Sequence, residues 1–315
     1  MHRNSLILGL VFMMMIFSSC KSFETIHSRV QLHEITDTLG NVIQAPEKPQ
    51  RIVSLNLGTD EILVDLVQPE RIAALSYLAE DEGISSIADK ARKVEKKLTD
   101  KGNVEAIIAL QPDLVLMSDA ISADVAETLR GMGIPVYISR TPSTLEETKQ
   151  RVLDIAEVVG EFEKGQAIVS HMEKILTEVN VRLSQITAEK KKTIIAFSFS
   201  GAFGRRASLF NDICVKAKVI NGAGEAGLEK GEILAKEQVV RINPDIFLLP
   251  TWNTKKQSAN SYREEIRLDP AYKEVKAVQY NRLLYISDRY RYCVSQYAAE
   301  SVREFAKTVY PECFS

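Results

Sequence analysis

Glu105 to Leu116 reads EAIIALQPDLVL, and Glu237 to Leu248 reads EQVVRINPDIFL. One template fits both: Glu, a variable residue, two aliphatics, a variable residue, an aliphatic, a variable residue, Pro-Asp, and an apolar run. Apolar residues three and four apart, then Pro-Asp, then a continuous apolar run predict a short helix that turns into a buried strand. The copies lie much further apart than the roughly 20–50 residues of a stacked repeat. Meeting the unit twice therefore predicts two similar α/β lobes, and two lobes imply a cleft. Twinned glutamates imply an outside partner that meets both lobes alike.

The 315-residue chain is long enough for two domains, taking roughly 100–200 residues for each. Its 45% apolar and 26% charged residues are those of an ordinary globular protein. A net charge of −2 argues against nucleic acid and against a polybasic membrane patch. The N-terminus says more. His2 and Arg3 precede an apolar run from Leu6 to Phe17, too short for the about 20 residues that span a bilayer. The run ends in Phe17-Ser18-Ser19-Cys20, so residues 1–20 read as an export signal. Cys20 after two small residues resembles the lipobox of bacterial lipoproteins, which implies acylation of Cys20 and a lipid-anchored, extracytoplasmic protein. Phe17 stands where that pattern usually has Leu. The alternative is a plain secretory signal or an uncleaved anchor, with Cys20 incidental. Outside the cytoplasm thiols tend to pair, so Cys214, Cys293 and Cys313 suggest one disulfide and one leftover, with the pairing open.

Residues 21–50 read as a tether and a hairpin turning at Leu39-Gly40-Asn41. An N-terminal α/β lobe follows over 51–160. RIVSL at 51–55 is a buried strand, and Thr59 is a plausible helix N-cap. Residues 79–102 look polar and irregular. From Phe162 to about Lys190, Ile168, Met172, Ile175, Leu176, Val179, Leu183 and Ile186 keep helical spacing. A helix of about 28 residues would reach roughly 42 Å, enough to join one lobe to another, so residues 161–190 are the connector. Residues 191–315 repeat the strand–helix order, with Ser200 to Ala207 as loop. Alternating short strands and helices predict mostly parallel sheets, so the fold class is α/β, two three-layer lobes joined by one long helix.

RIVSL, Asn103-Val104-Glu105 with ALQPDLVL, Gly133-Ile134-Pro135-Val136 and the closing Tyr310-Pro311-Glu312 together resemble the substrate-binding proteins of ABC importers for iron-siderophores, haem and cobalamin. The resemblance runs over about residues 29–312. It implies a monomer with a ligand cleft between its lobes, no catalysis and no cofactor, delivering its cargo to a permease dimer. It also implies that Glu105 and Glu237 dock onto arginines of that permease. Exposed ion pairs are worth about 0–1 kcal/mol each but set orientation and encounter rate. The plainer reading is that both glutamates complement a helix dipole.

In open α/β sheets ligands sit beyond the carboxyl ends of the strands. Those ends offer Asn56, Tyr77, Ser118, Asp119, Ser139 and Arg140 from the first lobe. The second offers Phe203, Arg205, Arg206, Thr251, Trp252, Arg289, Tyr290, Arg291 and Tyr292. Arginine forks hold oxyanions and aromatic rings cover flat apolar faces, so a sizeable anionic or aromatic metal chelate fits: a ferric siderophore, haem or a corrinoid. Trp252, directly after a strand, stands out. Tyr290 and Tyr292 can share the cleft only if their segment is extended. Bare metal is disfavoured, because the histidines after the signal are only His27, His33 and His171. Gly222 to Gly227 reads GAGEAG, a formal dinucleotide fingerprint that would need a strand just before it. A helix is expected there instead, and the glycines read as a mobile loop, so a dinucleotide-dependent enzyme is a remote alternative. An adhesion or scaffold protein with no small ligand is another.

Overall fold

The computed structural model describes residues 31–99, 103–253 and 258–315. The export signal, Cys20 and the tether through residue 30 lie outside the described residues. Next comes the expected hairpin, β1 (Leu32–Thr36) and β2 (Val42–Pro46), paired antiparallel. Asp37 Oδ1 accepts the Leu39 and Asn41 N–H groups at 3.0 and 2.9 Å, and Gly40 takes φ +89° at the turn.

The first lobe runs β3 (Ile52–Ser54), α1 (Leu57–Leu66), β4 (Ile72–Ser76), α2 (Ala88–Ala91), β5 (Lys97–Leu98), α3 (Val104–Ala109), β6 (Leu114–Ser118), α4 (Ala123–Gly131) and β7 (Val136–Ser139). Its strands lie parallel in the order β5-β4-β3-β6-β7. Asn56, not Thr59, caps α1 by accepting the Thr59 N–H at 3.2 Å. Thr59 lies inside the helix with its hydroxyl 2.7 Å from Ser54 Oγ. The stretch that looks irregular holds α2 and β5 because Ile84, Ile87 and Val94 are buried.

Two helices follow, α5 (Leu145–Val158) and α6 (Phe162–Arg182). At 21 residues α6 is about 31 Å long and ends well before Lys190. A lysine in the turn after α7 (Leu209–Lys216) meets the end of α6: Lys218 Nζ donates to the Leu183 carbonyl at 2.7 Å. A tight turn, Ile186 N–H to Leu183 O at 3.0 Å, keeps both side chains buried. The apolar spacing therefore outlasts the helix.

The second lobe runs β8 (Thr193–Ser198), β9 (Gly201–Phe203), α7 (Leu209–Lys216), β10 (Ile220–Asn221), α8 (Gly222–Glu225), α9 (Lys236–Ile242), β11 (Ile246–Leu249), α10 (Ala259–Leu268), α11 (Lys276–Gln279), β12 (Leu283–Tyr285), α12 (Asp288–Arg291) and α13 (Ala298–Val309). The parallel order is β10-β8-β11-β12, and β9 folds back antiparallel on β8 where the sequence reads as loop.

The twin stretches match in detail. Each helix, α3 or α9, leads through a residue with left-handed backbone, Gln111 at φ 47° or Asn243 at φ 49°, into Pro-Asp and a buried strand. Asp113 Oδ1 accepts the Arg51 N–H at 2.8 Å, and Asp245 Oδ2 accepts the Thr193 N–H at 2.9 Å. The backbone returns each bond, Asp113 N–H to Arg51 O and Asp245 N–H to Thr193 O. Each Pro-Asp thus fastens β6 or β11 to the start of its neighbour, β3 or β8.

One apolar cluster runs through both lobes, joining Ile52, Ile62 and Leu63 to Ile175 and Val179 of α6 and to Ile194, Ile213 and Phe305. Two smaller clusters serve the outer layers, around Val115 in the first lobe and Phe247 in the second. From Leu32 to Ser315 the chain forms one compact unit. The expected disulfide is not formed: Cys214, Cys293 and Cys313 are free thiols. Cys214 is packed on α7 in the main cluster, while Cys293 lies 3.5 Å from Ser295 Oγ. Burial pushes the Cys293 thiol up to about 12.

Candidate ligand cleft and docking surface

Both sheets aim their carboxyl ends at the junction of the lobes, where a pocket of about 310 Å³ opens. Thr141 and Pro142, just past β7, form its wall from the first lobe. Asp119 fixes that wall, its Oδ1 accepting from the Thr141 N–H at 2.9 Å and hydroxyl at 2.7 Å. The second lobe contributes Phe203, Arg205, Glu229, Glu232, Arg291 and Tyr292 among others. Phe203 and Tyr292 stack with ring centres 5.4 Å apart and planes 17° apart. The Arg291 guanidinium lies 5.3 Å from the Phe203 ring centre.

Arg291 is a structural cation. Its side chain is 0% exposed, and Nη1 donates to Asp288 Oδ1 at 2.8 Å while Nη2 donates to the Phe197 carbonyl. Asp288 Oδ2 also accepts the N–H groups of Thr251 and Trp252, each at 2.7 Å. One buried carboxylate therefore organises the loop after β11 and the short α12.

That loop aims Trp252 at the other lobe. Its indole Nε1 donates to Asp81 Oδ2 at 2.8 Å. The ring lies so close to Gly83 that a β-carbon there would overlap it. Trp252 is thus a bridge across the cleft, outside this pocket's lining.

Buried polar groups cross the junction beside it. Glu61 on α1 bonds the Ser295 hydroxyl, and its Oε1 accepts the Ser86 N–H at 2.9 Å. Gln296 Nε2 donates to the Glu61 carbonyl at 2.8 Å, and Arg151 Nη1 donates to the Val294 carbonyl at 2.8 Å. Burial pushes the Asp60 and Glu61 carboxyls up to about 8 and about 7, and lowers Arg151 to about 10.

The family model described as periplasmic binding protein matches residues 52–290. The chain belongs to the periplasmic binding protein family. An uncharacterized ABC transporter substrate-binding lipoprotein of Bacillus subtilis is 24% identical over 293 residues, covering 89% of this chain and 86% of that one. A vitamin B12-binding protein of Vibrio parahaemolyticus is 29% identical over 152 residues, covering 48% and 52%. Among solved structures, a periplasmic heme-binding protein from Roseiflexus sp. RS-1 has a TM-score of 0.71 at 19% identity, covering 84% of this chain and 99% of that one. These structural likenesses carry the fold.

Within this periplasmic binding protein, four of the residues expected at the cleft come together in the pocket: Phe203, Arg205, Arg291 and Tyr292. Asn56, Tyr77 and Arg140 lie at strand ends outside its lining; Asn56 Oδ1 caps α1, while its buried Nδ2 has no partner among the described residues. Arg206 leaves to pair with Glu225 at 3.1 Å. Residues 288–291 are helical, not extended, so Tyr290 diverges from Tyr292 and packs on the main apolar cluster, with Arg289 over its ring at 5.6 Å. Ser139 accepts from Arg151 Nε at 2.8 Å. Sequence reading missed Thr141, Asp81, Asp288, Glu229 and Glu232. Only position after a strand could have flagged the first; the acids carry no local signal.

A strand, β10, does precede GAGEAG, and its first glycines form the helical turn α8 in place of the expected helix and mobile loop. Both glycines are buried for packing. A β-carbon on Gly222 would meet Ile242 and Ile195 at 2.9 and 3.0 Å, and one on Gly224 would meet Asn221 at 2.7 Å. Side chains, not a pyrophosphate, fill the space that the motif would need.

Glu105 and Glu237 occupy the same station, the second residue of α3 and of α9. Both are exposed, and neither joins an ion pair among the described residues. Also among the described residues, no helix is long and apolar enough to cross a membrane.

Proposed function

We propose that this protein is the extracytoplasmic binding component of an ABC importer, lipid-anchored through Cys20. It captures an iron chelate, a siderophore or haem, between its lobes and hands it to the permease. A corrinoid is the alternative cargo, in keeping with the vitamin B12-binding relative. The chelate is cargo and not a cofactor, and the protein acts as a monomer without chemistry of its own. The observation that carries the reading is the Phe203–Tyr292 stack in a pocket at the lobe junction. Paired ring faces are what a large flat or aromatic ligand covers. A pocket near the low end of the usual roughly 300–1,000 Å³ holds one part of such a chelate and leaves the rest to the open mouth of the cleft.

Glu105 and Glu237 support the second half of the reading, as matched free charges for a two-fold partner. The test is calorimetric titration with ferric siderophores, haemin and cyanocobalamin, alongside NAD(H) and NADP(H). Saturable binding of at least one chelate and none of the dinucleotides is expected. Silence across the chelates would overturn the proposal.

A further inference from the structure

The arginines in the sequence suggest an anionic cargo, yet the folded pocket does not keep that charge. Arg206 is paired with Glu225 and Arg289 lies over Tyr290. Arg140 is outside the lining. Arg291 does line the pocket, but Asp288 neutralises it, its side chain is shut off from solvent, and only its buried Nε lacks a partner. Arg205 alone remains as a cation lining the pocket without an ion pair among the described residues. Against it stand Glu229 and Glu232, both lining and both exposed. Neither joins an ion pair among the described residues; Glu232 Oε2 only accepts the Glu229 N–H at 2.9 Å. One free positive charge thus faces two free negative ones around an apolar stack.

Low-dielectric walls strengthen such charges, and a cleft with one sign in excess favours ligands of the other sign. Resting on the chelate-binding reading, we infer that the cargo is an uncharged or cationic chelate, and that Glu229 and Glu232 select against polyanionic ones. The Phe203–Tyr292 rings supply affinity that is indifferent to charge, and the two glutamates supply the discrimination. Neutral ferric trihydroxamates and corrinoids satisfy this condition. Triply anionic ferric tricatecholates and the dicarboxylate haemin do not.

The test titrates the full-length protein in detergent with a neutral and a cationic ferric trihydroxamate, cyanocobalamin, haemin and a ferric tricatecholate. At least one uncharged or cationic probe is expected to bind about tenfold or more tighter than either anionic probe, with the gap narrowing as salt screens the pocket. The Glu229→Gln, Glu232→Gln double variant is expected to narrow the gap at least threefold, and Arg205→Gln to widen it. Both glutamates are exposed, so the double variant retains the fold, which its melting temperature checks. A tricatecholate or haemin that binds as tightly as the best neutral probe, or a gap unmoved by the double variant, overturns the inference and leaves the chelate reading standing. No binding by any probe overturns both.

Discussion

Glu105 and Glu237 owe their equivalence to the residues behind them. In each unit a left-handed residue, Pro-Asp and a carboxylate clamped to the neighbouring strand hold the helix start in the same pose against its sheet. Glu105→Arg with Glu237→Arg is therefore expected to abolish uptake by cells while ligand affinity stays within twofold and stability within about 0.5 kcal/mol. Calorimetry beside an uptake assay checks this, and an equal fall in affinity would move the glutamates to the pocket. Asp60 is the other residue with a clear consequence. Its carboxyl, buried against Ser76, titrates near 8 in the fold instead of its ordinary 3.8. The folded state thus holds the proton more tightly than the unfolded one. That contribution to stability is full below about pH 4 and is lost as pH rises toward 8. Asp60→Asn, which needs no proton, should be more stable than the parent at pH 8 by roughly 3–5 kcal/mol and nearly equal to it at pH 4. Melting curves at the two pH values decide; an equal loss at both would mean that Asn fails for packing reasons.

Among the elements, the loop after β11 carries the sharpest choice. If Trp252 is a bridge to Asp81 and Gly83, then Trp252→Phe removes the N–H and keeps most of the ring, so chelate affinity should change less than about threefold. A tenfold loss would return Trp252 to the ligand. Gly83→Ala should dislodge the indole, shifting its emission to the red and raising its quenching by acrylamide. These elements also mark where the sequence stops being legible. The twin units, the hairpin and the parallel strands could be read because periodicity and Pro-Asp are local signals. The end of α6 could not, because Lys218, from the turn after α7, takes the Leu183 carbonyl while Leu183 and Ile186 keep their spacing through a turn. The cleft arginines were legible as a set of positions and not as charges. Whether Arg291 faces a ligand or Asp288 depends on α12 being helical, and whether Arg206 is free depends on Glu225, nineteen positions on. Glu229 and Glu232 carry no signal in the sequence; only the fold sets them in one pocket with Tyr292.

At the scale of the whole molecule, α6 is shorter than its apolar spacing predicts, yet the lobes it joins are not loosely hinged. One apolar cluster passes through α6 into both sheets. Gly58 of α1 leaves room for Val294, and the Leu145 N–H of α5 donates to Asp212 Oδ2 of α7 at 2.7 Å. Glu61 and Arg151 reach the 294–296 segment through buried hydrogen bonds. A wide swing would strip these groups of partners, at about 1–3 kcal/mol for each buried polar atom left bare. It would also open a core packed as densely as a crystal. Closure on the cargo should therefore be small, confined to the pocket rim and to the Trp252 bridge, which is held by a single indole bond and one ring contact. Crystals of the free and chelate-loaded protein, or distances between spin labels on α4 and α10, check this. Rotation of one lobe on the other should stay far short of tens of degrees, while Trp252 quenching changes on loading. A swing of tens of degrees would mean that the shared cluster divides between the lobes and that Glu61 and Arg151 find new partners in the open form.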